Sequence, residues 1–300
     1  MALPKIMLIG CKGQVGFELE NLLAAKSSLS SYDLHNLDLR KFDNVRTTIR
    51  EIKPNLIINA AAYTQVDKAE EEPDTARQIN SEVPALLAEE AERSGAALIH
   101  YSTDYVYSGE KTSPYVEEDP TGPLGVYGAT KLEGDLAIQN SQAPHLIFRT
   151  SWVYGIRGKN FLLTMMRLAK EKPELKVIND QYGAPTWCRT IAQTTVTALE
   201  KILGKSLDEN IGKINGVSGI YHLTSGGQTT WFGFTQAIVD ILKLEKPPAL
   251  YPIPTSEYPT LAVRPKYSVL NNSKLNRTFG IPQTDWKQAL TSCMSVDPES

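Results

Sequence analysis

Cysteine is scarce in this chain. Its 300 residues carry three, Cys11, Cys188 and Cys293. The number is odd, and none of the three stands at metal-ligand spacing, so neither a disulfide framework nor a cysteine metal centre is expected. A reduced, cytoplasmic setting fits. Long apolar runs are also missing, and no stretch approaches the ~20 residues of a membrane span. The opening "MALPKIMLIG" is too short an apolar run for a signal peptide and passes at once into a glycine-rich turn. Charge of one sign is lacking too. The net charge of −3 is spread over the whole length, and with no basic block nucleic acid is not an expected partner. There is no internal repeat and no low-complexity tract.

Present instead is an ordinary globular composition, 41% hydrophobic and 22% charged, enough for one large domain or two smaller ones. In the first half, short apolar runs alternate with helical periodicity. "KIMLIG" (5–10) reads as a buried strand, and "CKGQVGFELENLLAAK" after it as a helix. "SSYDL" (30–34) reads as a weak strand, 43–52 as a helix, "NLIINAAA" (55–62) as a buried strand and 73–93 as one helix. "AALIHYSTD" (96–104) is a fourth strand, 127–140 a helix and "HLIFRTSWVYG" (145–155) a fifth strand. This βαβ alternation predicts an α/β fold: a Rossmann-type, doubly wound parallel sheet. The second half is less regular. Helices are expected at 160–171, 190–203 and 230–242, strands near 176 and at 219–227, and extended surface over the proline-rich 247–267. Residues 1–150 are therefore expected to form a dinucleotide-binding domain. Residues 151–300 would form mainly a smaller substrate-binding lobe, with some later segments returning to the sheet.

Two features carry chemistry. "GCKGQVG" sets Gly10, Gly13 and Gly16 between a strand and a helix. Such a turn lets backbone approach a pyrophosphate, and the helix N-terminus offers free N–H groups. Asp33 lies at the end of the second strand, where an acid would bond the adenosine ribose hydroxyls and favour NADH. Lys12, His35 and Arg40 lie close enough in sequence to accommodate the 2′-phosphate of NADPH, so both cofactors stay open. The second feature is "VYGATKLEG" (126–134). On a helix, Tyr127 and Lys131 share one face about 6 Å apart, and a cation beside a phenol lowers its pKa. With 13 tyrosines such a pair also arises by chance, and Tyr107 and Lys111 form a second one in a loop. "YSTDYVYSG" (101–109) leaves the fourth strand at the carboxyl end of the sheet, where ligands bind in open α/β folds. It offers Ser102, Thr103 and Asp104.

Seven segments stand in order: "GxxGQVG", "IINAAAYTQVDKAE", "HYSTDYVYSG", "PLGVYGATKLEG", "IFRTSWVYG", "VINDQYGAPT" and "YHLTSGGQTTW". Together, from Gly10 to about Trp286, they resemble the dTDP-4-dehydrorhamnose reductase family of extended short-chain dehydrogenases. That resemblance implies NADPH or NADH as cofactor and a dTDP-4-keto-6-deoxyhexose as substrate. It implies Tyr127 as general acid, with Lys131 lowering its pKa and bonding the nicotinamide ribose, and Thr103 bonding the substrate oxygen or tuning Tyr127. Cofactor contacts are implied at Gly10, Gly13, Gln14, Val15, Gly16, Asp33, Asp38, Leu39, Ala62, Tyr63, Thr64, Tyr101, Tyr127 and Lys131. Substrate contacts are implied at Thr103, Asp104, Tyr127, Trp152 and Arg264, the last as a bidentate diphosphate partner. Some members dimerise through a magnesium site of glutamates. Glu18 fits one ligand position, but Arg189 and Val296 stand where the other two carboxylates would lie, and an arginine opposes Mg²⁺. Monomer and homodimer both remain open. So do three other activities: reduction of another 4-keto-deoxysugar nucleotide, epimerisation of a sugar nucleotide, and a non-catalytic regulatory role.

Overall fold

The computed structural model describes residues 3–205, 207 and 210–296. The elements in chain order are β1 (Lys5–Ile9), α1 (Gln14–Leu23), β2 (Ser28–Tyr32), α2 (Phe42–Ile52), β3 (Leu56–Asn59), α3 (Val66–Glu71), α4 (Pro73–Arg77), α5 (Val83–Ser94), β4 (Ala97–Thr103), α6 (Val126–Gln139) and β5 (His145–Thr150). The second half adds β6 (Val153–Tyr154), α7 (Phe161–Glu171), β7 (Glu174–Ile178), β8 (Tyr182–Gly183), β9 (Thr186–Trp187), α8 (Cys188–Leu203), β10 (Gly219–His222), β11 (Thr229–Thr230), α9 (Trp231–Leu242), β12 (Ala249–Ile253), α10 (Ser273–Phe279) and α11 (Trp286–Met294).

The main sheet has six parallel strands in the order β10-β5-β4-β3-β1-β2. Its inner strands β1, β3, β4 and β5 carry apolar residues on both faces, so alternate side chains feed two cores. Ile6, Leu8, Ile58, Ile99 and Phe148 face α1, α8 and α10. Met7, Ile9, Ile57, Leu98 and Ile147 face α2, α5 and α6. This is the doubly wound arrangement, and the order of strands reverses between β1 and β3. A crevice for ligands opens there, beyond the carboxyl ends of the strands. A third core gathers Tyr154, Leu162, Trp187, Phe234, Trp286 and Leu290 from the second half.

Several elements differ from expectation. The segment 73–93 is not one helix: a π-helical turn, Gln78–Glu82, separates α4 from α5. The fifth strand stops at Thr150, because Trp152 takes a left-handed backbone (φ 45°) that ends the extended run. The stretch 247–267 contains a true strand, β12, which pairs in parallel with β7 and places Pro252 opposite Val177. Proline is tolerated there because β12 has only one neighbour and leaves its other edge free of ladder bonds. Among the described residues no helix is long and apolar enough to cross a membrane.

Candidate active site

Beyond β1 the chain turns at Gly10, whose φ of +85° and close neighbours leave no room for a side chain: a Cβ would fall 2.7 Å from the Ala61 nitrogen. At Gly16 a Cβ would lie 2.0 Å from the Gly10 oxygen. The two glycines let α1 start directly on the end of β1. Gly13 begins that helix with no side-chain cap, so the first-turn N–H groups of Gln14, Val15 and Gly16 and the positive end of the helix face the crevice. This cradle fits a dinucleotide pyrophosphate. The Gln14 side chain is tied to Asn160, whose Nδ2 donates to its Oε1 at 2.8 Å.

Asp33 follows β2 directly, beside the glycine turn, because the Tyr32 carbonyl accepts from both Gly10 and Cys11 N–H at 2.7 and 3.1 Å. One Asp33 carboxylate oxygen accepts from His35 N–H at 2.8 Å. Asp38 is held by the Arg40 guanidinium, which draws its pKa down to about 2, while Leu39 is buried in the core beneath. Ala62, Tyr63 and Thr64 emerge from β3. Asn80, in the π-helical turn, clamps Tyr63: its Oδ1 accepts from Tyr63 N–H (2.8 Å), and its Nδ2 donates to the Tyr63 carbonyl and to Thr130 Oγ1 (3.1 and 3.3 Å). The widened turn presses its Asn80 carbonyl onto α6, where a Cβ at Gly134 would sit 2.2 Å from that oxygen. Asn80 carries no signal in a helical pattern; only the π-helical turn, invisible in sequence, exposes its function.

α6 begins at the crevice, its Val126 N–H capped by Glu70 Oε1 at 2.8 Å. Tyr127 stands in its first turn, packed edge-on against Tyr105 at 5.8 Å and 78°. Burial pushes its phenol up to about 12, with the neighbouring Thr103 hydroxyl working the other way. Lys131 is 1% exposed. Its Nζ donates to the Tyr101 carbonyl at 2.7 Å and lies 2.9 Å from His100 Nε2. The expected depression of the Tyr127 pKa by Lys131 is therefore absent in this geometry. The ammonium points at β4, and burial rather than a cation governs the phenol. Burial also draws Lys131 down to about 8, opposed by Asp135 one turn further along α6. Tyr101 contributes its backbone, while its ring turns into the core and its hydroxyl pairs with Thr195 Oγ1 at 2.8 Å.

Thr103 and Asp104 end β4. Thr103 Oγ1 donates to Asp104 Oδ1 at 3.1 Å. The other carboxylate oxygen makes no well-formed hydrogen bond among the described residues; burial pushes Asp104 up to about 7, with the Ser268 and Thr103 hydroxyls working the other way. An orphaned buried acceptor beside Tyr127 marks a place for a ligand hydroxyl. Trp152 is half-buried and stacks flat on Trp231, centroids 3.5 Å apart at 5°. Gly183 makes room beneath it, since a Cβ there would lie 2.4 Å from its ring. Trp231 was not singled out in the sequence, and an aromatic on an amphipathic helix gives no cue of such a role. Arg264 is half-buried near Tyr105, with its fork already spent on Asp67 at 2.6 and 3.1 Å; a diphosphate would have to replace Asp67. The second Tyr–Lys pair is structural: Tyr107 is a buried core ring, and Lys111 pairs with Asp119. Glu18 is bonded by Arg189 at 2.8 Å, and no group of three His, Cys, Asp or Glu suited to a metal occurs among the described residues. A guanidinium holds the carboxylate that a divalent ion would need, so these residues do not fit Mg²⁺.

A glycine cradle at the switch point of a doubly wound sheet, with a tyrosine and a buried lysine four residues on along α6, defines a dehydrogenase of the short-chain type. The chain belongs to the family described as the RmlD substrate binding domain, whose model matches residues 4–297. A dTDP-4-dehydrorhamnose reductase of Burkholderia thailandensis is 44% identical over 296 residues, covering 97% of this chain and 98% of its own. The crystal structure of a dTDP-4-dehydrorhamnose reductase from Clostridium acetobutylicum superposes with a TM-score of 0.88 at 36% identity, over 97% of this chain and 98% of that one. A Bacillus anthracis dTDP-4-dehydrorhamnose reductase, solved with NADP, gives 0.87 at 32% identity, over 97% and 99%.

Proposed function

We propose that this chain reduces the C4 keto group of dTDP-4-dehydro-β-L-rhamnose to give dTDP-L-rhamnose, the last step in making that sugar nucleotide, with NADPH or NADH. Near-complete alignment with reductases of that name supports the reading. The observation that carries it is the buried Tyr127–Lys131 pair beside the glycine cradle.

When bound, the nicotinamide supplies the hydride. The residues of the chain do the rest. Gly10, Gly13 and Gly16 admit the pyrophosphate, and Asp33 bonds the adenosine ribose, with Lys12, His35 and Arg40 exposed around it to receive a 2′-phosphate. Tyr127 keeps its proton at neutral pH, because burial holds its pKa at about 12, and gives it to the alkoxide forming at C4. Thr103 orients that oxygen, and Asp104 bonds a sugar hydroxyl. Trp152 lies along the sugar or the base. Lys131 has an N–H beyond the one given to the Tyr101 carbonyl, and this one serves the nicotinamide ribose. Elements of 151–300 other than β10 and the helices α8 and α10 that cover the main sheet form the substrate lobe. The three cysteines, buried and unpaired, suit a reducing cytoplasm, and each chain carries a whole site, so monomer and homodimer serve equally.

The test follows nicotinamide absorbance with purified protein, each cofactor in turn, and the 4-keto sugar nucleotide generated in place. Oxidation that depends on the sugar nucleotide is expected. A folded protein that binds cofactor and oxidises neither would overturn the reading.

A further inference from the structure

The group behind Lys131 is as ordered as the site in front of it. Asn59 and His100 are direct partners in the β3–β4 ladder, and they are 1% and 0% exposed. Both are polar side chains in strands that are buried throughout. The Ala61 backbone N–H donates to Asn59 Oδ1 at 3.2 Å. A backbone amide can only donate, so the oxygen of the Asn59 amide faces it. The Asn59 NH₂ then faces His100 Nδ1, 3.1 Å away. Nδ1 must accept, and the single proton of a neutral imidazole therefore sits on Nε2. Nε2 in turn lies 2.9 Å from Lys131 Nζ. An N–H aimed there finds an acceptor only in the lone pair of an amine. Lys131 as an ammonium would need Nε2 bare. Its ring proton would then be on Nδ1, against the Asn59 NH₂, donor to donor.

We propose that Asn59 and His100 set the charge of Lys131. Asn59 fixes His100 as the Nε2–H tautomer, and that N–H bonds the amine form of Lys131. The ammonium that would hold the nicotinamide ribose is then present only in the lower part of the working pH range. His100 is thus a positioning residue acting through Lys131. The inference rests on the reading of Lys131 as the partner of Tyr127.

The surrounding charges agree in direction. Desolvation favours the amine and draws the Lys131 pKa down to about 8, while Asp135 favours the ammonium. Asp135 is shared with Arg149 on β5, at 3.1 Å, and with Ser102 on β4, at 2.9 Å. Tyr101 and Tyr127 are neutral phenols. Asp104 stands at the end of β4 beside Tyr127. From α4, Arg77 reaches α6 only to pair with Glu133 at the surface. No carboxylate bonds Lys131 directly among the described residues. As the pKa of the folded protein lies below that of a free lysine, the ammonium is lost as pH rises through about 8, and the rate should fall on that side.

Two measurements on the full-length protein decide it. With ¹⁵N-labelled histidine, and the His100 signals assigned by their loss in His100→Phe, the wild-type ring should carry its proton on Nε2. A proton on Nδ1 overturns the proposal, and this readout needs no turnover. Second, the pH profile of kcat/KM should show an alkaline limb. Asn59→Asp replaces the amide donor by an acceptor, so the ring proton should move to Nδ1. The limb should then move up by about one pH unit, tenfold in the ratio of the two forms. A limb that stays, or one that moves while the proton remains on Nε2, refutes it. If Asn59→Asp does not fold, the wild-type ring decides alone. Activity surviving in Tyr127→Phe would instead sink the catalytic reading and leave the ring assignment standing.

Discussion

The Asp135–Arg149 pair is buried under the active site, with side chains 0% and 3% exposed. Asp135→Asn keeps the volume and can keep an oxygen where Ser102 Oγ and Arg149 Nε donate. It removes the charge and puts an NH₂ where Oδ1 is buried without a partner among the described residues. Arg149 is then a guanidinium without a counter-ion, held by the neutral amide oxygen and by the Tyr107 hydroxyl at 2.8 Å. Breaking a buried pair on one side costs about 3–5 kcal/mol, far more than the pair itself contributes, because the other charge stays desolvated. No cavity is created, so that figure is the whole expected loss. It corresponds to a drop in Tm of about 10 °C for a chain of this size. Denaturant titration followed by tryptophan fluorescence reads it as a lower midpoint at unchanged slope. Asp135→Asn combined with Arg149→Met should cost less than the sum of the two single changes by at least about 1 kcal/mol, as both charges are then gone. A single-variant loss below about 1 kcal/mol, or strict additivity, would refute the reasoning.

Three other outcomes follow from the site. Tyr127→Phe removes one hydroxyl and keeps the ring against Tyr105; kcat should fall about 10²–10⁴-fold with the cofactor Kd unchanged, and normal turnover would mean another proton donor. Gly16→Ala puts a Cβ 2.0 Å from the Gly10 oxygen, backbone that cannot yield without opening the turn. Calorimetry should show nicotinamide cofactor binding weakened at least about tenfold, and wild-type affinity would contradict the cradle. Trp231→Leu takes away the plate beneath Trp152, a contact worth about 0.5–1.5 kcal/mol beyond its area; KM for the sugar nucleotide should rise while cofactor affinity holds, and a change in cofactor affinity alone would place Trp152 elsewhere.

What was legible in the sequence was local. Gly10, Gly13 and Gly16 announce themselves because a tight turn needs glycine at fixed offsets. Tyr127 and Lys131 announce themselves because a helix puts positions four apart on one face. Separating that pair from Tyr107 and Lys111 took context, and the structure agrees, with Tyr107 in the core. Illegible were partnerships across the sheet. Asn59 and His100 meet only through the β3–β4 register, and Asp135 meets Arg149 only once α6 lies on β5. Their one signal was polarity inside buried strands. The direction in which Lys131 points also escaped, since spacing gives distance along a helix and not the rotamer. β12 was hidden by Pro252 and the prolines flanking it, which argue against a strand unless its one-sided pairing is known.

The sixth position of the main sheet is filled late. The chain leaves the sheet at Thr150, and among the described residues only Gly219–His222 returns to pair with β5. There His222 Nε2 meets the Tyr107 hydroxyl at 2.7 Å and its N–H donates to Glu117 Oε1 at 2.8 Å. Anyone transplanting a second half from a relative to change sugar preference would also import this strand and strand-mate contacts that the host did not evolve with. A graft that leaves Gly219–His222 with the host, and exchanges only the pieces outside the sheet, keeps the edge closed.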